Sequence, residues 1–227
     1  LGQVAQVDER IGLSPEELKS IIGEYDALMI RSGTQVTADV IEAADRLRII
    51  GRAGVGVDNV DVPAATQRGV LVVNSPEGNT IAAAEHALAM LLSVSRHVPQ
   101  AHGSMRSGAW DRKKYVGNEL YKKILGVVGL GKIGSHVARV AKAMGMDVIA
   151  FDPFISAERA QQMQVRLTTL EALFQQADYI TLHIPRTPDT ENLVNAELLR
   201  TMKSTARIVN CARGGIVDEP AIAEAIE

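Results

Sequence analysis

The sequence predicts an α/β protein with parallel β-sheets, and three observations support that fold class. Short apolar runs alternate with longer helical patterns along the 227 residues, and this alternation is typical of right-handed βαβ units. Hydrophobic residues make up 46% of the chain and aromatic residues only 4%, so the predicted core consists mainly of Val, Ile, Leu and Ala. A glycine-rich turn follows one apolar run directly and opens a helix, as in doubly wound sheets.

The predicted strands fall into two groups, one on each side of residue 75. The first group contains three runs, Ala27–Ile30, Leu47–Ile50 and Val70–Val73. The second group contains four strong runs and a weak one, Ile124–Val128, Asp147–Phe151, Tyr179–His183, Arg207–Cys211 and the weak Val165–Leu167. A complete doubly wound nucleotide-binding sheet typically has about six strands, so we expect at least one further strand beyond Glu227.

Two helices have ends that the sequence defines. Residues 14–17 read Ser-Pro-Glu-Glu, which predicts a helix start with serine as the N-cap and proline and acids in the first turn. The stretch from Thr80 to Arg96 is apolar on most sides, so we expect a helix buried between domains or between subunits, and the second case indicates a dimer. A polar Pro/Gly turn at 74–79 precedes this helix. We therefore predict two domains, residues 1–75 and 76–227.

Charge, hydropathy and cysteine content exclude several classes of protein. Lys and Arg number 24 against 27 Asp and Glu, a net charge of -3, which argues against a general nucleic-acid binder. The most apolar stretch, Ile81–Val94, is interrupted by Glu85 and His86, so no membrane span is predicted. The single cysteine, Cys211, excludes an intrachain disulfide and a cysteine-based zinc cluster. We expect no metal and a reducing compartment such as the cytoplasm; an organellar transit peptide before Leu1 stays open.

The strongest motif is the glycine-rich turn within Ile124–Gly134. Its glycines have the G-x-G-x-x-G spacing between a predicted strand and a predicted helix. We expect Gly129 to make the tight turn, Gly131 to let a pyrophosphate approach the backbone, and Gly134 to let helix and strand pack closely. Asp152 ends the next strand 18 residues after Gly134, where an acid holds the ribose hydroxyls of a dinucleotide. The pattern predicts a dinucleotide-binding domain, with a purely structural turn as the alternative.

The type of nucleotide follows from two details near this turn. The charge of Asp152 repels a 2′-phosphate and no arginine follows it closely, so the sequence favours NAD over NADP. Residues 126–132 also fit the start of an ATP-binding P-loop, G-x-x-x-x-G-K. The next residue, Ile133, lacks the hydroxyl that holds Mg²⁺ in such loops. We therefore reject an ATPase.

Three further polar segments follow predicted strands, and the carboxyl ends of parallel strands form the ligand-binding edge of such sheets. Arg213 lies in the segment Asn-Cys-Ala-Arg-Gly-Gly at 210–215, where its guanidinium is suited to grip a substrate carboxylate. A surface arginine on a turn is the alternative. The glycine-rich segment 51–59 is suited to bind an anion through backbone N–H groups, and the segment 31–34 is placed to face the same cleft. A plain turn is equally compatible with the first of them.

Five motifs occur in order along the chain: GRAGVGVDNVD, NSPEGNTIAAAEHALAMLL, GVVGLGKIG, FDP and NCARGGIVDE. Together they resemble the D-isomer-specific 2-hydroxyacid dehydrogenases, and the resemblance covers nearly the whole chain without obvious gaps. It implies an incomplete, discontinuous, flavodoxin-like substrate-binding domain at 1–75. It also implies an NAD-binding Rossmann domain, a doubly wound parallel sheet that is truncated at its C-terminus, at 76–227. NAD is the implied cofactor, and the implied reaction is hydride transfer from C2 of a 2-hydroxy acid.

The resemblance also assigns roles to residues of this sequence. Arg213 matches the catalytic arginine that orients the carboxylate of the keto acid and polarises its carbonyl. Cofactor contacts are implied for the three turn glycines and for seven other residues, Val55, Lys132, Ile133, Asp152, Ile184, Pro185 and Cys211. Substrate contacts are implied for four residues, Arg31, Ser32, Gly54 and Val55. Arg112 matches a phosphate-contacting arginine that the neighbouring subunit supplies.

The resemblance implies that parts of the family's fold and site lie outside this chain, and it leaves three candidate functions. The family's acid–base histidine and its glutamate partner are expected beyond Glu227, and the first strand of the substrate domain before Leu1, so we expect an inactive fragment. No histidine of this chain is expected to replace the missing one; His86 is expected inside a buried helix, and His183 on the cofactor wall. Our first choice is the NAD-dependent oxidation of D-3-phosphoglycerate, a phosphorylated 2-hydroxy acid, by a homodimer or homotetramer. The alternatives are a D-2-hydroxyacid dehydrogenase for glyoxylate, hydroxypyruvate or lactate, and an NAD-dependent scaffold.

Overall fold

The computed structural model describes residues 2–226 and divides the chain into two compact units, Leu1–Asn79 and Thr80–Glu227. The division falls after Asn79 rather than after residue 75, because the polar turn closes on its own start: the Gly78 N–H donates to the Ser75 carbonyl at 3.3 Å. Every strand pair in the described residues is parallel. The predicted α/β fold class with parallel sheets is therefore confirmed.

The first unit contains a three-stranded sheet and three α-helices. The strands are Ala27–Ile30 (β1), Ile49–Arg52 (β2) and Leu71–Asn74 (β3), and they lie in the order β1-β2-β3. The helices are Pro15–Ile21 (α1), Ala38–Glu42 (α2) and Val62–Gln67 (α3). Helix α1 starts with the predicted cap, since Ser14 Oγ accepts from the Glu17 N–H at 3.2 Å and the Glu17 carboxylate accepts from the Ser14 N–H at 2.8 Å.

Only one face of this three-stranded sheet packs against the core of the first unit. Ile30 and Ile50 are buried there together with residues of the flanking helices. The opposite face carries Met29, Leu71 and Val73, whose exposed fractions are 60%, 65% and 46%. Parallel sheets are usually covered on both faces, so this face is an open apolar surface of the unit.

The second unit begins with two consecutive helices, Thr80–Arg96 (α4) and Val98–Arg106 (α5). Its strands are Ile124–Val128 (β4), Asp147–Phe151 (β5), Arg166–Leu167 (β6), Tyr179–Leu182 (β7) and Arg207–Asn210 (β8). The remaining helices are Lys132–Ala143 (α6), Ala157–Gln162 (α7), Leu170–Gln176 (α8), Ala196–Arg200 (α9) and Glu219–Ile226 (α10). The strand order β6-β5-β4-β7-β8 is the 3-2-1-4-5 part of the doubly wound order.

Helix α4 is buried on one face only within this chain. Ala84, Leu88 and Leu91 are buried on one face, whereas Met90 and Leu92 are exposed on the other. Within this chain α4 is therefore not buried on most sides, and His86 is exposed. Burial of α4 between subunits, the other alternative, stays a prediction. No helix within residues 2–226 combines the length and the apolar character needed to cross a lipid bilayer.

Candidate functional site

The glycine-rich turn between β4 and α6 is packed so tightly that two of its positions exclude a side chain. Gly129 has φ +93°, and a Cβ there would lie 2.7 Å from the His183 carbonyl oxygen. A Cβ on Gly134 would lie 1.9 Å from the Gly129 carbonyl oxygen. A Cβ on Gly131, in contrast, would meet no atom within 4 Å. The turn is therefore closed against β7 and α6 but open at Gly131.

Helix α6 presents its N-terminus at this opening. Gly131 is the N-cap residue of α6 and has no side chain to accept the first helical N–H groups. These groups and the helix dipole favour an anion at that end of a helix. Lys132 and Ile133 form the first helical residues, and Ile133 is half-buried against the core. The opening is thus suited to a pyrophosphate.

Asp152, directly after β5, braces the turn from the neighbouring strand. Its Oδ2 accepts from the Leu130 N–H at 2.7 Å, and its Oδ1 accepts from the Phe154 and Ile155 N–H groups at 2.8 and 3.1 Å. The sequence indicated a ribose-binding acid but not this bracing role. A carboxylate has about four lone-pair sites, so three backbone bonds leave one for a ribose hydroxyl.

His183 follows β7 and has a partner that the sequence analysis missed. Its Nε2 lies 3.0 Å from the hydroxyl of Thr181, which is fully buried. Burial lowers the pKa of His183 to about 4, so the ring is neutral at pH 7. A general acid for work near neutral pH needs a pKa near 7, so His183 fits a wall of the site better than a proton donor. Thr181 and His183 are two positions apart, so in an extended segment their side chains lie on the same side, and this spacing is visible in the sequence.

The segment after His183 is also fixed. A Cβ on Gly129 would lie 2.8 Å from Cγ2 of Ile184, so the half-buried Ile184 packs against the turn. The Pro185 carbonyl accepts from the Thr190 hydroxyl at 2.7 Å. These contacts hold the predicted cofactor residues Ile184 and Pro185 at the carboxyl end of β7, next to the glycine turn.

Arg213 lies in the loop after β8, and Asn210 holds this loop. The Asn210 side chain donates to the Arg213 carbonyl at 2.8 Å and accepts from the Ala212 N–H at 3.0 Å. The Arg213 guanidinium is half-buried and donates to the Ala212 carbonyl at 2.9 Å. Cys211 is half-buried, and burial raises the pKa of its thiol. It therefore offers a neutral, apolar wall, as expected for a cofactor-lining position.

A second arginine supports the same loop. Arg186 forms an ion pair with Glu191, and its guanidinium carbon lies 3.0 Å from the place where a Cβ on Gly215 would be. Gly215 has φ +77° and accepts from the Asn192 N–H at 2.8 Å. The loop that contains Arg213 is thus tied to the segment after β7. No short sequence motif predicts this contact, because the two loops are distant in sequence and only the fold brings them together.

The predicted substrate residues of the first unit lie at the carboxyl edge of its sheet. The buried Asn59 joins two loops there, since its side chain donates to the Arg31 carbonyl at 3.0 Å and to the Thr34 carbonyl at 2.6 Å. The neighbouring Ser32 is exposed. The Val55 carbonyl accepts from the side chain of Asn74 at 2.6 Å. These bonds bring Arg31, Ser32 and Val55 to one edge.

Gly54 and Arg112 complete the predicted substrate residues. Gly54 has φ +154°, which L side chains rarely adopt, and a Cβ there would displace the Arg52 guanidinium, so a substitution at this position is strained. Arg112 opens an exposed 3₁₀ helix, Arg112–Tyr115, in the second unit. It lies beside Lys113 and Lys114, and the charge run is solvent-exposed within this chain.

The second unit matches a known domain. Residues 88–227 match the family described as D-isomer specific 2-hydroxyacid dehydrogenase, NAD binding domain. The match covers more than half of the chain, and the sheet order and glycine turn are those of a dinucleotide-binding domain. The chain therefore belongs to the D-isomer-specific 2-hydroxyacid dehydrogenases, and NAD is the cofactor of its second unit.

Two curated relatives with the same name are similar to this chain over most or all of its length. D-3-phosphoglycerate dehydrogenase of Synechocystis sp. is 64% identical over 227 residues, which is all of this chain and 41% of that protein. The enzyme of the same name from Bacillus subtilis is 52% identical over 203 residues, which is 89% of this chain and 39% of that protein. The chain thus spans about two-fifths of the length of these curated relatives.

Solved structures of other family members have the same fold. D-lactate dehydrogenase from Escherichia coli superposes with a TM-score of 0.82 at 33% identity, over 94% of this chain and 67% of that one. D-lactate dehydrogenase from Aquifex aeolicus, complexed with NAD and lactic acid, gives a TM-score of 0.85 at 27% identity, over 92% and 62% of the two chains. The open position at Gly131, the uncapped α6 and the remaining lone pair of Asp152 fit NAD in the present chain.

Proposed function

We propose that the protein oxidises D-3-phosphoglycerate to 3-phosphohydroxypyruvate with NAD, the first step of serine biosynthesis. The observation that carries this proposal is the 64% identity with the Synechocystis D-3-phosphoglycerate dehydrogenase, in an alignment that covers the whole chain. Because the chain spans about two-fifths of that relative, the activity is proposed for the full-length protein that contains it.

The chemistry assigns Arg213 the central role in this chain. Bound NAD supplies the acceptor for the hydride that leaves C2 of the substrate. Arg213 binds the substrate carboxylate through two parallel hydrogen bonds and stabilises negative charge on the C2 oxygen. The Asn210 bridge fixes the backbone on both sides of Arg213, which holds the guanidinium ready before substrate arrives. His183 takes no proton, because its ring is half-buried beside Thr181 and titrates near pH 4.

Substrate binding is proposed for the first unit, residues 1–75, as an incomplete and discontinuous substrate domain. The open face with Met29, Leu71 and Val73 supports that proposal, because a complete parallel sheet is covered there. Arg31, Ser32, Gly54 and Val55 are proposed to contact the carboxylate or phosphate of the substrate. The phosphate needs cations, and Arg31 together with Arg112 of a neighbouring subunit is proposed to supply them.

A homodimer or homotetramer is proposed on the exposed side of α4 and α5. Apolar side chains that water reaches within this chain occur along this stretch: Ile81, Met90, Leu92, Val98, Met105 and Trp110. Such a patch is typical of a subunit interface. A reducing compartment such as the cytoplasm is proposed on the content of a single cysteine.

The test is NADH consumption by the full-length protein with 3-phosphohydroxypyruvate, hydroxypyruvate, glyoxylate and pyruvate. We expect a large preference for the phosphorylated acid. Arg213→Ala is expected to lower kcat by orders of magnitude, and Arg213→Lys to recover part of it, because lysine keeps the charge without the two-pronged grip. Turnover by Arg213→Ala within tenfold of the unsubstituted protein would contradict the role of Arg213.

A second candidate function is that of a dehydrogenase for an unphosphorylated D-2-hydroxy acid. The similarity to D-lactate dehydrogenases of known structure favours it. Preference for hydroxypyruvate, glyoxylate or pyruvate in the same assay would support this function and retain the roles of NAD and Arg213. Binding of NAD without turnover of any of these acids would favour a scaffold instead.

A further inference from the structure

A cavity of about 460 Å³ lies at the edge of the five-stranded sheet that is remote from the glycine turn. Lys123, Asp178 and Arg207 line it, and they stand at the amino ends of β4, β7 and β8. The remaining lining residues are Asn118, Tyr179, Ser204, Thr205 and Ala206. Because all the strands are parallel, the glycine turn and Arg213 lie at the opposite, carboxyl edge. The cavity is therefore separate from the NAD site.

The acidic group of the cavity is already paired. Asp178 Oδ1 accepts from the Lys203 ammonium at 2.8 Å, and Oδ2 accepts from the Ile124 N–H at 2.8 Å. Burial pushes the pKa of Asp178 upward, but the Ile124 N–H and the Lys203 charge outweigh it, so the pKa lies below its usual range. Asp178 is thus ionised at neutral pH, and both of its oxygens are occupied.

The cavity retains a positive charge excess. Arg207 is half-buried, stacks over the ring of Tyr179 at 5.8 Å from its centroid, and donates to the Thr205 carbonyl at 3.0 Å. Over residues 2–226, no carboxylate forms an ion pair with Lys123 or Arg207. Three cations, with Lys203 included, therefore face one carboxylate, which leaves a local charge of about +2.

We propose that this cavity binds a small organic dianion, of which phosphate monoesters and dicarboxylates are the two sources. Lys123 and Arg207 supply the positive charge, and the hydroxyls of Ser204 and Thr205 and the amide of Asn118 supply further donors. The volume lies in the range of about 300–1,000 Å³ that is usual for small-molecule pockets, so an organic body fits beside the charged groups. The site is independent of the proposed oxidation.

The test is calorimetric titration of the full chain with glycerol 2-phosphate, succinate and acetate at pH 8 and low ionic strength. NAD is kept saturating, because phosphate groups otherwise also bind at the glycine turn. We expect both dianions to bind and to displace each other, and acetate to bind at least tenfold more weakly. Lys123→Gln is expected to weaken both dianions at least tenfold.

Lys122→Gln is the matched control. Lys122 is the chain neighbour of Lys123 and is also exposed, but its ammonium lies over the Tyr121 ring at 5.2 Å and it does not line the cavity. Its variant is expected to bind within twofold of the unsubstituted chain. Arg207→Lys, which keeps the charge, is expected to bind more tightly than Arg207→Gln.

The proposal would be overturned by unchanged dianion affinity in Lys123→Gln, by equal losses in the Lys122 and Lys123 variants, or by an absence of binding heat with either dianion. If Arg207→Gln does not fold, the exposed position of Lys123 keeps the test decisive, since its side chain contributes little to the core. Tight binding of one dianion with no binding of the other would also contradict a site defined by charge. Dianion binding that persists in Arg213→Ala, a variant expected to lose turnover, would distinguish this cavity from the proposed active site.

Discussion

Adding a single methyl group at Gly134 tests how closely the glycine turn and helix α6 approach. In Gly134→Ala the new Cβ would lie 1.9 Å from the Gly129 carbonyl oxygen and 3.3 Å from Val127 Cγ1. Ordinary contacts of a Cβ begin at 3.4 Å, so the turn and the helix must separate by about 1.5 Å. The severe contact is with the Gly129 backbone, which is not able to rotate away as a side chain would.

The size of the effect follows from two opposing terms. Overpacking usually costs about 1–3 kcal/mol, and a clash between two backbone segments belongs at about 3 kcal/mol. Alanine in place of glycine within a helix returns about 1 kcal/mol. The net loss is about 2 kcal/mol, which in a chain of this size lowers the melting temperature by about 4–8 °C.

Gly131→Ala is the matched comparison, because a Cβ there meets no atom within 4 Å and φ is −62°. Its melting temperature is expected to stay within about 2 °C, since the N-cap loss and the entropic gain are of similar size. Its affinity for NAD is expected to fall at least tenfold, because the methyl group occupies the opening for the pyrophosphate. Thermal unfolding by circular dichroism and titration with NAD measure both quantities. Melting of Gly134→Ala within 1 °C of the unsubstituted chain, or unchanged NAD affinity in Gly131→Ala, would refute the reasoning.

Three further predictions concern buried polar groups. Burial lowers the pKa of His183 from 6.5 to about 4. Between these pH values the unfolded chain binds a proton that the folded chain does not bind, so stability is lost as the pH falls. In urea unfolding, His183→Gln is expected to lessen the loss of stability between pH 7 and 4.5 by about 2 kcal/mol. Equal losses in both proteins would contradict this. The Ser95 hydroxyl donates to the Asn118 carbonyl at 2.7 Å and so accepts from the Tyr179 hydroxyl at 2.9 Å. Ser95→Ala is expected to cost about 1–3 kcal/mol of stability, more than Tyr179→Phe, because it leaves the buried Tyr179 hydroxyl without its acceptor. A larger loss in Tyr179→Phe would contradict this. Asp152→Asn is expected to cost about 1.5–3 kcal/mol and to weaken NAD at least tenfold, because one N–H loses its acceptor; unchanged melting and binding would exclude the bracing role.

The ends of strands that are bounded by polar turn residues were predictable from the sequence. The ends of strands next to buried turns were predicted less accurately. Prediction and structure agree at both ends for β1, β4 and β5. Strand β2 begins at Ile49, two residues later than predicted, because Leu47 is buried in a turn and thus continues the apolar pattern outside the sheet. Strands β7 and β8 each end one residue early, where His183 and Cys211 leave the sheet for the site.

The candidate site was predictable where one local segment defines it. The spacing of Gly129, Gly131 and Gly134 predicts the turn, because each glycine meets a constraint within the same strand–turn–helix unit. The bonds of Asn59 reach 25 and 28 residues back along the chain, so no local pattern announces them. The packing of Arg186 on Gly215 likewise depends on two loops that only the sheet order brings together.

The open face of the three-stranded sheet also affects how the chain behaves at high concentration. Leu71 and Val73 stand on an edge strand, and Met29 stands on the opposite edge strand of the same sheet. Exposed apolar edge strands are the sites where identical chains associate by adding strand to strand. We therefore expect association through these strands to limit the concentration at which the chain stays in solution, and polar β-formers such as threonine at these positions to raise that concentration.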